Sequence, residues 1–435
     1  MNYNNHLDEE TVEKMLNILK FKQKKSITDI DLRNKTVLVR VDFNVPLNDY
    51  RQITDARRIR FTLPTLFYLH NENCKIIVLS HLGRPGGKRD ERYNLLPIYK
   101  RLKEFFPLTT VYRAKDCIGP EVEAMVKKLK PGEILLLENP RFHPGEKAND
   151  PEFASQLAKL ADVYINDAFA TSHRKHASTY GVAKYFEEAG YGFLVEKELK
   201  FFSQALSNPK RPFTVILGGK KVKDKLDVIR YLIGVADNII IGGGMAYTFL
   251  SAKGYNVGKS VIDVSKLDDV RSYLHESNLN GTKIHLPVDV VVCDELDDPT
   301  HVEEVPITTI QENHMGVDIG SETIKIFKEV LKNSKQVIWQ GPLGVFEKED
   351  FENGTKEIAR FLIENKIYSI ICGGDSAAAF EKFGFQDNIS FISTGGGASL
   401  ALMKGELLPG IECLSDKEEV EFTIANTIAQ QEIRK

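Results

Sequence analysis

Arginine, histidine and asparagine stand immediately behind short apolar runs throughout the amino-terminal half. The segments are Asp42-Phe43-Asn44, Ser80-His81-Leu82-Gly83-Arg84-Pro85 and Asn139-Pro140-Arg141-Phe142-His143, then Asn166-Asp167-Ala168-Phe169 followed by His173-Arg174. Arginine forks bind phosphate and carboxylate bidentately, so the set points to a small anionic ligand. Taken singly, an Arg is as well explained by a surface ion pair worth ~0–1 kcal/mol, and Arg57 and Arg60 are read that way. The carboxy-terminal half offers glycines instead: Gly218-Gly219, Gly242-Gly243-Gly244, Gly373-Gly374 and Gly395-Gly396-Gly397, each ahead of a helix-like stretch. At such points exposed backbone N–H groups and the helix dipole favour an anion, and missing side chains let a phosphate approach closely. One such loop is most simply a tight turn. Four in the same half point to a polyphosphate.

Two familiar phosphate motifs fail. Gly254-Tyr255-Asn256-Val257-Gly258-Lys259-Ser260 has three residues between its glycines where a P-loop needs four, and it follows a helix-like segment rather than a strand. The dinucleotide fingerprint needs a small third residue, but Gly242-x-Gly244 runs on to Tyr247 and Gly395-x-Gly397 to Leu400.

The elements that must carry these residues are short β-rich runs alternating with helical spacing. They are Thr36–Val41, Lys75–Leu79, Ile134–Leu137, Val163–Ile165, Phe213–Leu217, Asn238–Ile241, Val288–Val292, Gln336–Trp339, Ser369–Cys372 and Ser390–Ile392. Apolar strands separated by helices predict parallel sheets covered on both faces, in which ligands bind beyond the carboxyl ends of the strands. The 435 residues suit two to three domains, and two prolines in Asn208-Pro209-Lys210-Arg211-Pro212 interrupt the pattern after a helix-like Val195–Leu206. The expected architecture is α/β, with two doubly wound parallel-sheet domains. Residues 7–21 place Val12, Met15, Leu16 and Leu19 on one helical face, and Ser415-x-x-Glu418 opens a second terminal helix.

Composition narrows the function classes. Lys+Arg (58) nearly cancel Asp+Glu (61), so a global polyanion-binding role, nucleic acid included, is not expected and an anion site must be local. The five cysteines form no CxxC pair, which suits reduced thiols in a cytoplasmic compartment. The apolar runs are strand-sized, far below the ~20 residues of a membrane span. Neither a secretory signal nor a transit peptide is expected.

These residues match a family. Val39-Arg40-Val41-Asp42-Phe43-Asn44-Val45-Pro46, Ser80-His81-Leu82-Gly83-Arg84-Pro85 and Asn166-Asp167-Ala168-Phe169 resemble the substrate half of phosphoglycerate kinase. Leu217-Gly218-Gly219, Gly242-Gly243-Gly244-Met245-Ala246, Trp339-x-Gly341-Pro342-x-Gly344-Val345-Phe346-Glu347 and Ser393-Thr394-Gly395-Gly396-Gly397-Ala398-Ser399 resemble its nucleotide half. The resemblance runs in order from about residue 25 to about residue 416. Departures from the family pattern are Lys220, Gln340, Ser321, Ala170 and Cys372.

The resemblance implies a glycolytic kinase that reversibly transfers a phosphoryl group from 1,3-bisphosphoglycerate to Mg-ADP, giving 3-phosphoglycerate and ATP. It implies an N-terminal extension at 1–24, a substrate domain at 25–206 joined by the segment 411–435, a nucleotide domain at 207–410 and a hinge helix between the domains. Asp42, Phe43, Asn44, Arg58, His81, Leu82, Gly83, Arg84, Arg141 and Arg174 would hold the glycerate and its phosphate, with Arg58 and Lys225 catalytic. Gly218, Gly219, Lys221, Lys225, Gly242, Gly316, Glu347, Gly373, Gly374, Asp375 and Ser376 would serve ATP or ADP, with Gly395, Gly396 and Gly397 supporting the transition state. Asp375 would be the Mg²⁺ ligand, and a monomer that closes on its ligands is expected. Two alternatives stand beside this reading: a binding protein of the same family without turnover, and a different kinase on the same two-domain plan.

Overall fold

The computed structural model describes residues 13, 17–220 and 223–417. The chain divides into two compact units. One comprises Lys20–Ala168, Arg174–Glu196 and the chain from Pro409; the other comprises Phe169–His173 and Lys197–Leu408, with the described residues up to Leu19. The terminal helices read at residues 7–21 and from Ser415 onward lie mainly outside the described residues.

In the Lys20–Ala168 unit six strands form one parallel sheet: β1 (Thr36–Val41), β2 (Lys75–Leu79), β3 (Val111–Arg113), β4 (Ile134–Leu136), β5 (Val163–Asp167) and β6 (Ala189–Tyr191), in the order β3-β4-β2-β1-β5-β6. Val37 pairs with both Ile76 and Val163, and Val37, Leu38 and Val39 are fully buried. Side chains on both faces of β1 are thus taken out of water, as a helix-covered parallel sheet requires. The helix Arg57–Asn71 shows how that cover is built. Its buried positions Ile59, Thr62, Leu66 and Leu69 recur at three- and four-residue steps and pack one stripe into the core.

In the Lys197–Leu408 unit a second six-stranded parallel sheet has the order β15-β14-β13-β7-β8-β9. Its strands are β7 (Phe213–Leu217), β8 (Asn238–Ile241), β9 (Lys283–His285), β13 (Gln336–Gln340), β14 (Tyr368–Cys372) and β15 (Phe391–Ile392). Beside it lies a three-stranded antiparallel sheet, β11-β10-β12, of β10 (Asp289–Cys293), β11 (Val302–Pro306) and β12 (Met315–Ile319). This corrects one expectation: the run read as Val288–Val292 belongs to the antiparallel sheet. Its partner β11 escapes a search for apolar runs because it reads Val-Glu-Glu-Val-Pro, with two adjacent glutamates and no fully buried residue.

Both parallel sheets reverse direction at one point, between β1 and β5 in the first and between β7 and β13 in the second. Crevices open at such points beyond the strand ends. The Asp42–Asn44, Ser80–Pro85, Asn139–His143, Gly218-Gly219, Gly242–Gly244, Gly373-Gly374 and Gly395–Gly397 groups all follow such strand ends.

Candidate functional site

In the Lys20–Ala168 unit the loops after β1, β2 and β4 are tied together by their own side chains. The Ser80 hydroxyl accepts from the Phe43 amide at 2.8 Å, Asn44 Oδ1 accepts from the Gly83 amide at 2.8 Å, and Asn139 Nδ2 donates to the Leu82 carbonyl at 2.7 Å. Gly83 has φ +61°, and a Cβ there would lie 2.2 Å from the Tyr93 ring, so no other residue fits this turn. Phe43 and Leu82 are buried and anchor the loops from beneath.

On this frame stands a cluster of cations. Arg40 is only 1% exposed; it donates to Ser178 Oγ at 2.8 Å and to His81 Nδ1 at 3.2 Å. Burial, followed by the charges of Arg40, Arg141, Arg174 and Arg58, pushes the His81 imidazole well below its ordinary range, so the ring is neutral. An arginine can only donate, hence Nδ1 accepts and the His81 proton sits on Nε2. His176 is lowered to about 4, by burial first and then by Arg141 and Arg174. Burial and then the neighbouring Arg40 and Arg174 lower Arg141 to about 10. Its Nη1 donates to the Gly83 carbonyl at 2.8 Å, while Nε and Nη2 are buried without a hydrogen-bond partner. Arg58 pairs with the buried Asp42, whose other oxygen accepts from the Asn44 amide at 3.1 Å. Arg174 is half-buried and its pKa is lowered, chiefly by burial; Arg84 is exposed. Crowded cations with buried open donors make a receptor for a multiply charged anion.

The Lys197–Leu408 unit is built from backbone. After β7 the Gly218 amide donates to the Gln340 carbonyl at 2.9 Å and the Gly219 amide to the Pro342 carbonyl at 2.7 Å, locking this loop to the one after β13. A Cβ on Gly218 would lie 2.2 Å from the Pro342 oxygen, and Gly219 has φ +81°. Lys225, half-buried on the helix Lys223–Leu232, reaches back to the Gly218 carbonyl. Gly242 precedes the helix Gly243–Ala252, and Gly373 the helix Gly374–Lys382, where Ser376 Oγ accepts from the Gly341 amide at 2.7 Å. Asp375 sits exposed in the first turn of that helix, and its carboxylate has no hydrogen bond or ion pair among the described residues. Glu347 is exposed in the loop after β13, and Gly316 donates to Ser260 Oγ at 2.9 Å from β12. Lys221 lies outside the described residues.

The Gly395-Gly396-Gly397 loop is held by a carboxylate that motif reading passes over. Glu198, fully buried, accepts from Ser393 Oγ at 2.7 Å, the Thr394 amide at 2.6 Å and Thr394 Oγ1 at 2.8 Å. Burial outweighs these bonds and raises its pKa to about 7. A Cβ on Gly395 would lie 2.4 Å from the Phe169 ring, and one on Gly397 2.7 Å from His173 Nε2.

The departures from the family pattern resolve locally. Lys220 is exposed. Ser321 opens the helix Ser321–Lys332 and its hydroxyl donates to Glu304 at 2.6 Å, at a first helical position where proline and serine are both tolerated. Cys372 ends β14 in the core, its thiol pushed well up by burial. Gln340 is the exception, for its side-chain oxygen is buried and unpartnered. The P-loop-like stretch is a turn after the helix Gly243–Ala252, in which Gly258 (φ +56°) packs on the carbonyls of Gln311 and His314. His176 and Glu198 are participants that no motif announced, and Arg40 stood in the Val39–Pro46 motif without a role of its own. An arginine inside an otherwise apolar strand was the one available signal.

A protein with these two kinds of strand end is of the class that moves phosphoryl groups by positioning and charge neutralisation. The model of the phosphoglycerate kinase family matches residues 27–406. Phosphoglycerate kinase from Coxiella burnetii is 36% identical with a TM-score of 0.80, covering 90% of this chain and 98% of its own. The enzyme from Pyrococcus horikoshii OT3 is 31% identical with a TM-score of 0.78, covering 89% and 98%. This chain belongs to the phosphoglycerate kinase family. It is a phosphotransferase with the glycolytic phosphoryl-transfer activity of that family. Among the described residues no helix is long and apolar enough to cross a membrane.

Proposed function

We propose that the Lys20–Ala168 unit binds 3-phosphoglycerate or 1,3-bisphosphoglycerate, that the Lys197–Leu408 unit binds Mg-ADP or Mg-ATP, and that the acyl phosphoryl group passes reversibly between them. The observation that carries this reading is Arg141, whose buried Nε and Nη2 have no partner beside Arg40 and Arg174. Open buried donors cost about 1–3 kcal/mol each until an acceptor fills them, and a phosphate offers several.

Arg141, Arg174 and Arg84 take the substrate phosphate, with Asn44 and the neutral His81 donating to the glycerate, His81 through Nε2. Asp42 holds Arg58 pre-aimed, so that its guanidinium neutralises charge on the group in transit without moving at the moment of reaction. Gly373 and Gly374 present amides to the nucleotide phosphates, while Gly218, Gly219 and Gly242, whose own amides lock the loops, carry no side chain to obstruct them, with Ser376 fixing the loops, Gly316 leaving the nucleotide room and Lys225, with Lys221, adding positive charge. Glu347 suits the ribose hydroxyls. In the Gly395-Gly396-Gly397 loop, stiffened by Glu198 and by the Gly395 amide's own bond to Ser393 Oγ, Gly396 and Gly397 offer amides to the charge that builds during transfer. Asp375 fits Mg²⁺ because it is an exposed carboxylate left free by the described residues beside a phosphate loop. That ion takes one or two protein carboxylates and completes its shell with phosphates and water. When bound it neutralises phosphate charge. The balanced net charge disfavours a nucleic-acid partner, and a cytoplasmic monomer without a membrane partner is proposed from the family alone.

Titration calorimetry with 3-phosphoglycerate tests the assignment of the basic cluster. Binding to the native protein that drops at least ~10-fold in Arg141→Gln supports it. Equal affinity in the two proteins would refute it.

A further inference from the structure

Away from the glycine loops, the antiparallel sheet of the Lys197–Leu408 unit brings two histidines and a glutamate together. His301 immediately precedes β11, Glu303 lies on it, and His314 immediately precedes β12. In register, Glu303 and Gly316 flank Val292 of the middle strand β10. Side chains alternate with period two, so His301 shares a face with Glu303, and His314 with Gly316. The outer strands are roughly 10 Å apart across β10, with the buried Val292 side chain between Glu303 and Gly316 and the Tyr247 ring over Gly316. At the end of the sheet the three side chains nevertheless meet. His301 Nε2 is 3.1 Å and His314 Nδ1 3.8 Å from the same Glu303 oxygen. The two imidazoles stack with centroids 4.8 Å apart, and the three donor atoms all lie within 4.8 Å of one another. A tetrahedral ion about 2.05 Å from each donor sets donors ~3.3 Å apart, so closing the site requires the two rings to tilt out of their 16° stack and the donors to draw together.

His314 supplies an independent sign of a missing ligand. Its residue is only 5% exposed, yet Nδ1 is buried with no hydrogen-bond partner while aimed at Glu303. Native proteins rarely leave such an atom unsatisfied. The backbone that presents it is fixed, since its carbonyl accepts from the Lys259 amide at 2.7 Å and its amide donates to Gln311 at 3.1 Å. His301 is held as firmly, because Asp294 Oδ1 accepts from the amides of Glu295, Thr300 and His301 at 3.0, 3.1 and 3.1 Å. A second cluster, Asp116–Cys117–His143, lacks this sign, since His143 Nε2 already bonds Asp116 at 2.6 Å.

We propose that His301 Nε2, His314 Nδ1 and Glu303 form a three-ligand site for a divalent ion of the zinc class, with water in the fourth position. Two imidazoles and one carboxylate select Zn²⁺, Co²⁺ or Ni²⁺ over the hard Mg²⁺ that accompanies the nucleotide. The exposed His301 is the entry path, and the ion pins the two outer strands of the sheet to each other.

Titration of chelator-stripped full-length protein with Co²⁺, in millimolar Mg²⁺ and without nucleotide, tests the site through visible absorption. The native chain should bind one Co²⁺ with the bands of a four- or five-coordinate site that Zn²⁺ bleaches. His301→Ala and Glu303→Gln alter accessible side chains, so both should keep the native circular dichroism and weaken binding at least ~10-fold. Zn²⁺ should raise the Tm of the native chain and not that of His301→Ala. Absence of the bands, or equal Co²⁺ affinity in native and His301→Ala proteins, would overturn the proposal.

Discussion

At the carboxyl ends of β1, β2 and β4 the groups available to a ligand are side chains: Asp42, His81 and Arg141, joined by Arg58 and the interior Arg40. At the ends of β7, β8, β13 and β14 glycine backbone takes their place: the amides of Gly218, Gly219 and Gly242 and the Ser376 hydroxyl clamp the loops together, and the amides of Gly373 and Gly374 at the start of the next helix are left for a ligand. Both sheets have the same number of strands and one reversal point, so the contrast arises in the loops alone. On the proposed assignment of the two units, it follows from the ligands. A small branched anion must be read by forks aimed from several directions, while a polyphosphate chain is read by repeated dipoles that approach it closely. A built-in cost differs too: the first set holds cations against one another until an anion arrives, and the second requires glycine at positions of positive φ.

The comparison is broken most severely at Arg58. Removing one preorganised donor to a transition state costs ~100-fold or more in kcat, and Arg58→Ala is expected to lose at least that much in a coupled assay. A near-normal kcat would remove Arg58 from the chemistry. Arg141→Ala should next raise the KM for 3-phosphoglycerate ~30-fold, since charge-assisted bonds contribute about 1.5–3 kcal/mol. Arg141→Lys should restore little, because an ammonium cannot replace the fork.

On the backbone side, Gly219→Ala forces an L side chain to φ +81°, at roughly 1–2 kcal/mol. We expect a ~10-fold higher KM for ADP with the KM for 3-phosphoglycerate within twofold. Glu198 sharpens the contrast through pH. Unfolded, its carboxyl loses a proton near 4.5, the ordinary glutamate value, whereas burial in the native protein keeps it on until about 7. Between these values the native state binds more protons, so the contribution of Glu198 to stability falls as pH rises and is constant above. The Tm of Glu198→Gln relative to the native protein should therefore climb from about pH 4.5 to pH 7 and then level. A difference that stays flat would show that Glu198 is ionised throughout. Lys220→Ala carries the smallest effect, within about threefold in kcat and KM for ADP, because an exposed charge contributes ~0–1 kcal/mol. A tenfold rise in KM would place Lys220 on phosphate.

How far these features were legible depends on which force sets them. The glycine runs and strand-end arginines are local patterns, and the buried parallel strands announce themselves as apolar runs. β3, β6 and β9 were not legible, because each is three residues at or near a sheet margin and carries little hydrophobic signal. Arg40 sits in the Val39-Arg40-Val41 stretch of β1 as though it were a strand residue. Only the fold reveals that Ser178 and His81, distant in sequence, receive its hydrogen bonds. Glu198 reads as one polar position on a helix, since its partners Ser393 and Thr394 come from almost two hundred residues away. Tertiary satisfaction of buried polar groups has no local signature.

Separate recognition by side chains in one unit and by backbone in the other is tested most directly by a binding matrix. Calorimetry with 3-phosphoglycerate and with Mg-ADP would be run on the native protein, Arg141→Ala, Gly219→Ala and the double variant. Each single substitution should weaken only its own ligand, and the double variant should repeat both losses unchanged, as independent sites do. Comparable weakening of both ligands by either substitution would contradict the account.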